Sequence, residues 1–327
     1  MAEPGGNDGS RGPSRIPKDM KGLLQFCVQA TKSEDPTTSS DFTQMSEERR
    51  QWLEKALTDM TMSPVERMQI CIGVVRMEKD DDDGVEKKIT ALEEIIEWAE
   101  QIDFAIDFHK IGGFQILPVL LNSDVPDLRW TCLDLIGTLT QNNPYCQAAV
   151  LEANLLPILL QLLDTDVNTT VRTKALYAIS CLSRDNSEAQ RVFVDKDGFS
   201  VLMRAMQSDV EKLKIKSSFF LTHICSNQPA YKDILCDIGM IDQLIGHLGE
   251  DHSELHEHLM SALLTIITDH SRAVTECQRP ELQLHQLLKD RIQLIKDQEE
   301  FQEERQYATQ LLHIISGGDS PADCGAR

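Results

Sequence analysis

The chain has 327 residues, enough for a sizeable core, and a formal charge of −21, from 32 Lys and Arg against 53 Asp and Glu. Such a field opposes phosphate backbones and anionic membranes, and favours a partner that offers a basic face. Apolar residues make up 41% and aromatics 5% of the chain, the balance of a protein built on helices rich in Leu, Ile and Ala. No apolar run reaches the roughly 20 residues of a membrane span. The N-terminal stretch MAEPGGNDGSRGPSRIPKDM has no apolar segment of the secretory kind. These features predict a cytosolic or nucleocytoplasmic protein that binds neither nucleic acid nor membrane. The nine cysteines form no C-x-x-C pair. Cys71, Cys132, Cys181, Cys225 and Cys236 sit in apolar helical patterns and read as buried thiols of a reducing compartment. Cys324 stands fourth from the end, but the following Gly-Ala-Arg lacks the aliphatic middle of a prenylation signal.

In chain order, residues 1–45 read as a disordered N-terminal segment with one short apolar motif, GLLQFCVQA, at 22–30. SEERRQWLEKALTDM then starts a helix, with Ser46 as N-cap and Glu47 and Glu48 in the first turn. Its apolar face is Trp52, Leu53, Ala56, Leu57 and Met60. Another helix covers 64–77 from Pro64, and EKDDDDG at 78–84 reads as a solvated acidic loop. Residues 78–107 carry twelve acids and three bases, much of the net charge. The span 46–110 is thus predicted to hold N-terminal capping helices and a partial repeat.

Between 111 and 280 the chain repeats itself. DLRWTCLDLIGTLT, TVRTKALYAISCLS, KLKIKSSFFLTHIC and ELHEHLMSALLTII align on Leu128, Val171, Leu213 and Leu255, at intervals of 43, 42 and 42 residues. The residues that follow them are Arg129, Arg172, Lys214 and His256. A second apolar series precedes each of these helices. In it Gly113, Asn154, Gly198 and Gly239 share one position, where a left-handed residue ends the preceding helix. Short helical pieces such as PYCQAAVLE complete each unit. A short, a medium and a long helix repeating every 42 residues or so fit the armadillo and HEAT class. The predicted fold is all-α: a right-handed α-solenoid of four three-helix repeats between capping helices. The capping helix region lies at 281–316, before a disordered tail at 317–327.

In such a stack the long helices line a concave groove. Superposing the repeats puts Asp134, Tyr177, Phe219 and Ser261 at one level facing the groove. Thr138, Cys181, His223 and Thr265 lie one turn later, and Trp130, Thr173, Ile215 and Glu257 one turn earlier. Glu93 and Glu97 of the partial unit extend the stripe. An acidic end and an aromatic middle suit a folded protein partner with a basic and apolar surface. The alternative is that Tyr177, Phe219 and Ile215 pack between helices. Importin-type armadillo proteins carry a ladder of Trp and Asn at these levels. That ladder is absent here, which argues against reading of nuclear signals. His252 and His256 are four residues apart, but no third ligand stands at convincing spacing, and they read as the polar start of a helix. No phosphate-cradling Gly motif and no nucleophile elbow is present. The sequence therefore predicts no metal, no cofactor and no enzymatic activity.

Particular words of the chain go further than its periods. GLLQ, MSEERRQWL, VRTKALYAISCL, DGFSVLMRAMQ, KLKIKSSFFL, HEH and TECQRPELQL together closely resemble the armadillo-type heat-shock protein 70-binding proteins, the cytosolic nucleotide exchange factors of that chaperone. The resemblance runs from Gly22 to Ile315 and is most specific through 168–220 and 254–316. The Gly/Ser-rich N-terminal stretch common in that family is short and poor in Ser here. The net charge favours a monomer, and the resemblance implies that the chain embraces lobe II of the chaperone's ATPase domain, in a 1:1 complex. Lobe I is then displaced, the ADP site opens, and client is released, with help from the N-terminal region. Two other readings stay open: an armadillo scaffold or inhibitor of chaperone-linked machinery without exchange activity, and a peptide-binding adaptor.

Overall fold

A computed structural model describes residues 62–317, apart from 78, 80 and 227, together with 47, 51 and 52. The chain divides into two units, Met1–Ser63 and Pro64–Arg327. In the first, Glu47, Gln51 and Trp52 are helical. The motif at 22–30, the rest of the helix expected from Ser46, and the tail from 318 lie outside the described residues.

Among its described residues the second unit contains seventeen α-helices and no strand. They are α1 (Pro64–Met77), α2 (Asp82–Ala99), α3 (Ile102–Lys110), α4 (Leu117–Leu121), α5 (Pro126–Thr140), α6 (Pro144–Glu152), α7 (Leu156–Thr165), α8 (Thr169–Ser183), α9 (Ser187–Asp195), α10 (Gly198–Met206), α11 (Glu211–Ser226), α12 (Pro229–Asp237), α13 (Met240–Leu248), α14 (Leu255–Ile267), α15 (Ser271–Cys277), α16 (Leu284–Leu294) and α17 (Gln302–Ile315). A 3₁₀ turn, Gly113–Ile116, leads into α4. Every third helix is a long one, and each packs on the next, in the order α2, α5, α8, α11, α14 and α17. None of the described helices is both long and apolar enough to cross a membrane.

The aliphatic residues that open the four aligned helices, Leu128, Val171, Leu213 and Leu255, are all buried. Two of the basic residues after them bind backbone carbonyls of the segment that precedes their long helix. Arg129 donates to the Ser123 carbonyl at 2.8 Å and pairs with Asp166, and Arg172 donates to the Leu163 carbonyl at 2.9 Å. In these two units the pattern is one core anchor plus one tether to the segment before the long helix.

Two left-handed positions recur along the stack. One lies between the short and medium helices, at Gly112 (φ 83°), Asn154 (φ 53°), Asp197 (φ 62°) and Gly239 (φ 78°). In two units this is one residue before the expected Gly113 and Gly198. Those glycines serve a different need, which is room. A Cβ on either would lie 2.4 Å from Cε2 of Phe108 or Phe193, the fully buried ring of its own unit. The other left-handed position follows the long helix, at Asn142, Asp185 and Asp269. The next residue then caps the short helix: Asn143, Asn186 and His270 accept from the backbone N–H of Cys146, Ala189 and Ala273.

Buried donors from the short helices close the exposed ends of the long ones. Gln147 Nε2 donates to the carbonyls of Thr140, Cys181 and Arg184 at 3.2, 3.0 and 3.2 Å. One unit on, Gln190 donates to Ser183 O at 3.0 Å; another unit on, Lys232 Nζ donates to Thr268 O at 2.7 Å. All three stand fourth in their helices, α6, α9 and α12.

Two expectations are corrected. The acidic run is not a loop throughout: Asp81 caps α2 by accepting from Gly84 N, and Asp82 and Asp83 fill its first turn. Carboxylates at a helix N-terminus are favoured by the dipole, which outweighs their mutual repulsion here. The segment 281–316 is not a single capping helix but completes a fifth unit. Gln283 (φ 47°) takes the left-handed position, α16 the medium slot and α17 the long slot against α14. The chain breaks after α16 at buried Ile295, and Arg305 takes up the Lys296 carbonyl at 2.7 Å.

Replacing Gly198 with Ala is expected to lower stability by about 1–3 kcal/mol, because Phe193 has nowhere to move in a packed core. Gln147→Ala is expected to cost about 1–3 kcal/mol by orphaning helix-end carbonyls. Urea unfolding followed by circular dichroism measures both, and a loss below about 0.5 kcal/mol contradicts the packing described.

Candidate functional site

The six long helices lie side by side, so equivalent residues form columns across the stack. Glu93 and Glu97 of α2 are both exposed. One helix on, Asp134 of α5 is ion-paired with Lys174 of α8 at 2.7 Å. In α8 and α11, Tyr177 is half-buried and Phe219 is 57% exposed; in α14, Ser261 is half-buried. The level one turn later holds half-buried Thr138, His223 and Thr265 and buried Cys181. The Thr265 hydroxyl is spent on the Ser261 carbonyl at 2.9 Å.

The level one turn earlier faces inward more than expected. Thr173 is buried and bonded to the Thr169 carbonyl. Trp130 and Ile215 pack against the core, and the Trp130 Nε1–H donates to Asp127 at 2.8 Å. Glu257 stands apart, in a cavity beside His258 and Phe301. The structure thus brings Tyr177, Cys181 and Phe219 together and leaves Trp130, Thr173 and Ile215 to packing. The two histidines weighed as metal ligands lie with ring centroids 5.4 Å apart, but each is engaged by a different partner. His252 precedes α14 and bonds to Glu304 at 2.8 Å, whereas His256 is buried and bonds to Ser253.

A second column, three residues before the aromatic one, holds Lys174, Lys216 and His258. Each of these side chains reaches back to the preceding long helix. Lys174 pairs with Asp134, Lys216 sits 6.0 Å from the Tyr177 ring centroid, and His258 packs on Phe219 with centroids 4.4 Å apart. Lys174 also lies 6.0 Å from the Tyr177 centroid, so two ammonium groups stand at the outer limit of cation–π contact with one ring. Sequence reasoning missed this column, although the 42-residue step from Lys174 to Lys216 to His258 was its signal. The charge of the stripe therefore differs from the expected one: its acid at Asp134 is paired, and its aromatic middle is flanked by cations.

Tyr177 is fixed from below as well. A Cβ on Gly137 would meet Tyr177 Cε1 at 2.4 Å, so the ring lies flat on α5, and its hydroxyl donates to Gln141 Oε1 at 3.3 Å. Burial, then the neighbouring Cys181, pushes the phenol up to about 12. Burial also raises the Cys181 thiol, so it stays protonated and poorly nucleophilic at neutral pH. Burial, then Lys212 and Lys174, pulls the Lys216 ammonium below its ordinary range. The site offers shape, an aromatic surface and cations, with no activated nucleophile.

Comparison with known proteins places the chain. Residues 104–237 match the SIL1/FES1/HPBP1 C-terminal domain, and residues 20–108 match the domain described as nucleotide exchange factor Fes1. The chain is 40% identical over 321 residues to Hsp70-binding protein 1 of Homo sapiens, covering 95% of this chain and 88% of that one. It belongs to the Hsp70-binding protein 1 family. Nucleotide exchange factor SIL1 of Xenopus laevis is more distant, at 27% identity over 61% of this chain and 44% of its own length. Among solved structures, a designed armadillo repeat protein matches with a TM-score of 0.62 at 16% identity, over 77% of this chain and 100% of that one. Another designed armadillo protein, solved with the peptide (KR)4, matches with a TM-score of 0.61 at 18% identity, over 74% of this chain and 98% of its own. These two matches identify the armadillo fold.

Adjacent phenylalanines separate the roles of face and core. Phe220 is 2% exposed and Phe219 is 57% exposed. Phe220→Ala is expected to cost about 3–5 kcal/mol in chemical unfolding, and Phe219→Ala less than about 1 kcal/mol. Equal losses would mean that Phe219 is a packing residue.

Proposed function

We propose that this protein is a cochaperone of heat-shock protein 70 that promotes ADP release. Identity of 40% with Hsp70-binding protein 1 over 95% of the chain carries the reading. The match of residues 20–108 to an exchange-factor domain supports it. In finer detail, a monomer engages lobe II of the chaperone's ATPase domain in a 1:1 complex in the cytosol. It does so with the face of the long helices.

The physical case for that face is its composition. An exposed Phe219 beside a rigidly held Tyr177, framed by cations, has the make-up of an interface centre. A row of long helices packed side by side gives a surface wide enough for a domain rather than a single peptide. The chain supplies binding energy and no bond chemistry. By docking on one lobe it favours the state in which the two lobes are apart and ADP is not held. Linkage then requires that ADP weaken the complex by the same factor that the complex weakens ADP, typically about 5–150-fold. Client leaves once ATP has entered.

The test loads heat-shock protein 70 with fluorescent ADP, chases with ATP, and follows release with and without the full chain. Release is expected to accelerate by about tenfold or more. The double variant Tyr177→Arg, Phe219→Arg is expected to abolish the acceleration while helix content is retained. Binding without acceleration overturns exchange in favour of a scaffold, and absence of binding overturns the reading altogether.

A further inference from the structure

The partner proposed above is expected to be recognised by its charge as well as by its apolar surface, and the sign of that charge can be read from one cleft. Between α8 and α11 lies a cavity of about 250 Å³, lined by Leu176, Tyr177, Cys181, Arg184, Lys216 and Phe219, with Gln141 and Ser180 at its edge. No carboxylate lines it, in a chain of net charge −21. Among the described residues no carboxylate pairs with Arg184, Lys216 or Lys212, whereas the neighbouring Lys174 is satisfied by Asp134. Other basic side chains of these units are paired: Lys214 with Glu250, Arg204 with Asp164 and Arg129 with Asp166. The cleft thus concentrates positive charge that the protein itself does not neutralise. Burial first, and then Lys212 and Lys174, lower the proton affinity of Lys216.

The walls strengthen the effect. Tyr177, Phe219 and Leu176 present apolar surface, so a charge entering between them is partly desolvated and feels the cations through a lower effective dielectric. A guanidinium and an ammonium on opposite sides of such a cleft suit a carboxylate, which accepts charge-assisted bonds from both. A polyanion is disfavoured, because each further negative charge meets the field of the whole chain. One carboxylate flanked by apolar groups meets only the local cations.

Resting on the function proposed above, we infer that the cleft between α8 and α11 receives an Asp or Glu side chain projecting from an otherwise apolar patch of the chaperone's ATPase domain, with Arg184 and Lys216 as its ligands. The docking face is thereby acid-seeking at its centre, opposite to what the net charge of the chain suggests, and the exposed Glu93 and Glu97 lie outside that central contact.

The experiment is calorimetry of the full chain with full-length, nucleotide-free heat-shock protein 70 at two salt concentrations. The variants are Arg184→Glu and the double Arg184→Glu with Lys216→Glu. Circular dichroism confirms helix content for each. The double reversal at 184 and 216 is expected to weaken binding by about tenfold or more and to flatten its salt dependence. Arg184→Glu alone, at an exposed position that does not threaten the fold, is expected to weaken it by about threefold or more. Unchanged or tighter binding by the 184 and 216 variants overturns this inference while leaving the function standing. Absence of binding by the unaltered chain overturns both.

Discussion

The stack depends on how the open ends of its long helices are closed. The last carbonyls of any α-helix lack an internal partner, and in this fold those ends lie where two units meet. The long helices α5, α8 and α14 do not extend over them, because Asn142, Asp185 or Asp269, each left-handed, turns the chain away at once. The donors must therefore come from another element. Gln147, Gln190 and Lys232 supply them from the fourth position of successive short helices, buried where water cannot compete. Gln147 reaches the ends of two consecutive long helices at the same time, through Thr140 and Cys181. It thereby fixes the spacing of α5 and α8 and, through them, the floor on which Tyr177 rests.

The helices and their period were legible from the sequence because both follow from burial. Leu128, Val171, Leu213 and Leu255 are core anchors, and a core anchor leaves an apolar signature at a fixed interval. Less legible were features that rest on one hydrogen bond or one contact. Gly198 looks like a turn residue and is a packing residue, since the ring of Phe193 occupies the space a side chain would need. The Asp82–Asp83 pair looks like solvated loop and is a helix start, because Asp81 happens to cap it. The fifth unit was hidden by a longer connection, by Gln283 in a position usually held by Gly or Asn, and by charged surfaces at the end of the stack. In the candidate site, the aromatic column could be placed by superposition. What could not be placed was which side chain of the next helix leans on it. Lys216 beside Tyr177 and His258 on Phe219 are inter-unit contacts, set by how the long helices stack.

Charge on the long-helix face is organised by pairing more than by composition. The chain is strongly acidic, yet Asp134 and Asp166 are answered by Lys174 and Arg129 and offer nothing to a partner. The unanswered charges at the centre are positive. A rigid aromatic floor with cations at its rim costs little conformational entropy to use, since Tyr177 is already held by α5 and by Gln141. That rigidity suits a factor whose work is to prefer one arrangement of its partner over another. A surface that yielded to both arrangements would bind each equally and shift neither.

The ladder of donors has a consequence for how the molecule is made. Gln147 reaches carbonyls 34 and 37 residues ahead, and Lys232 one 36 residues ahead. No link in this ladder waits for a distant part of the chain. A unit emerging from the ribosome therefore completes its seal as soon as the next long helix has been synthesised, and folding can keep pace with elongation from the N-terminal side. The growing edge at every moment is one unsealed helix end, and the nascent chain exposes no more than about one unit of apolar surface at a time.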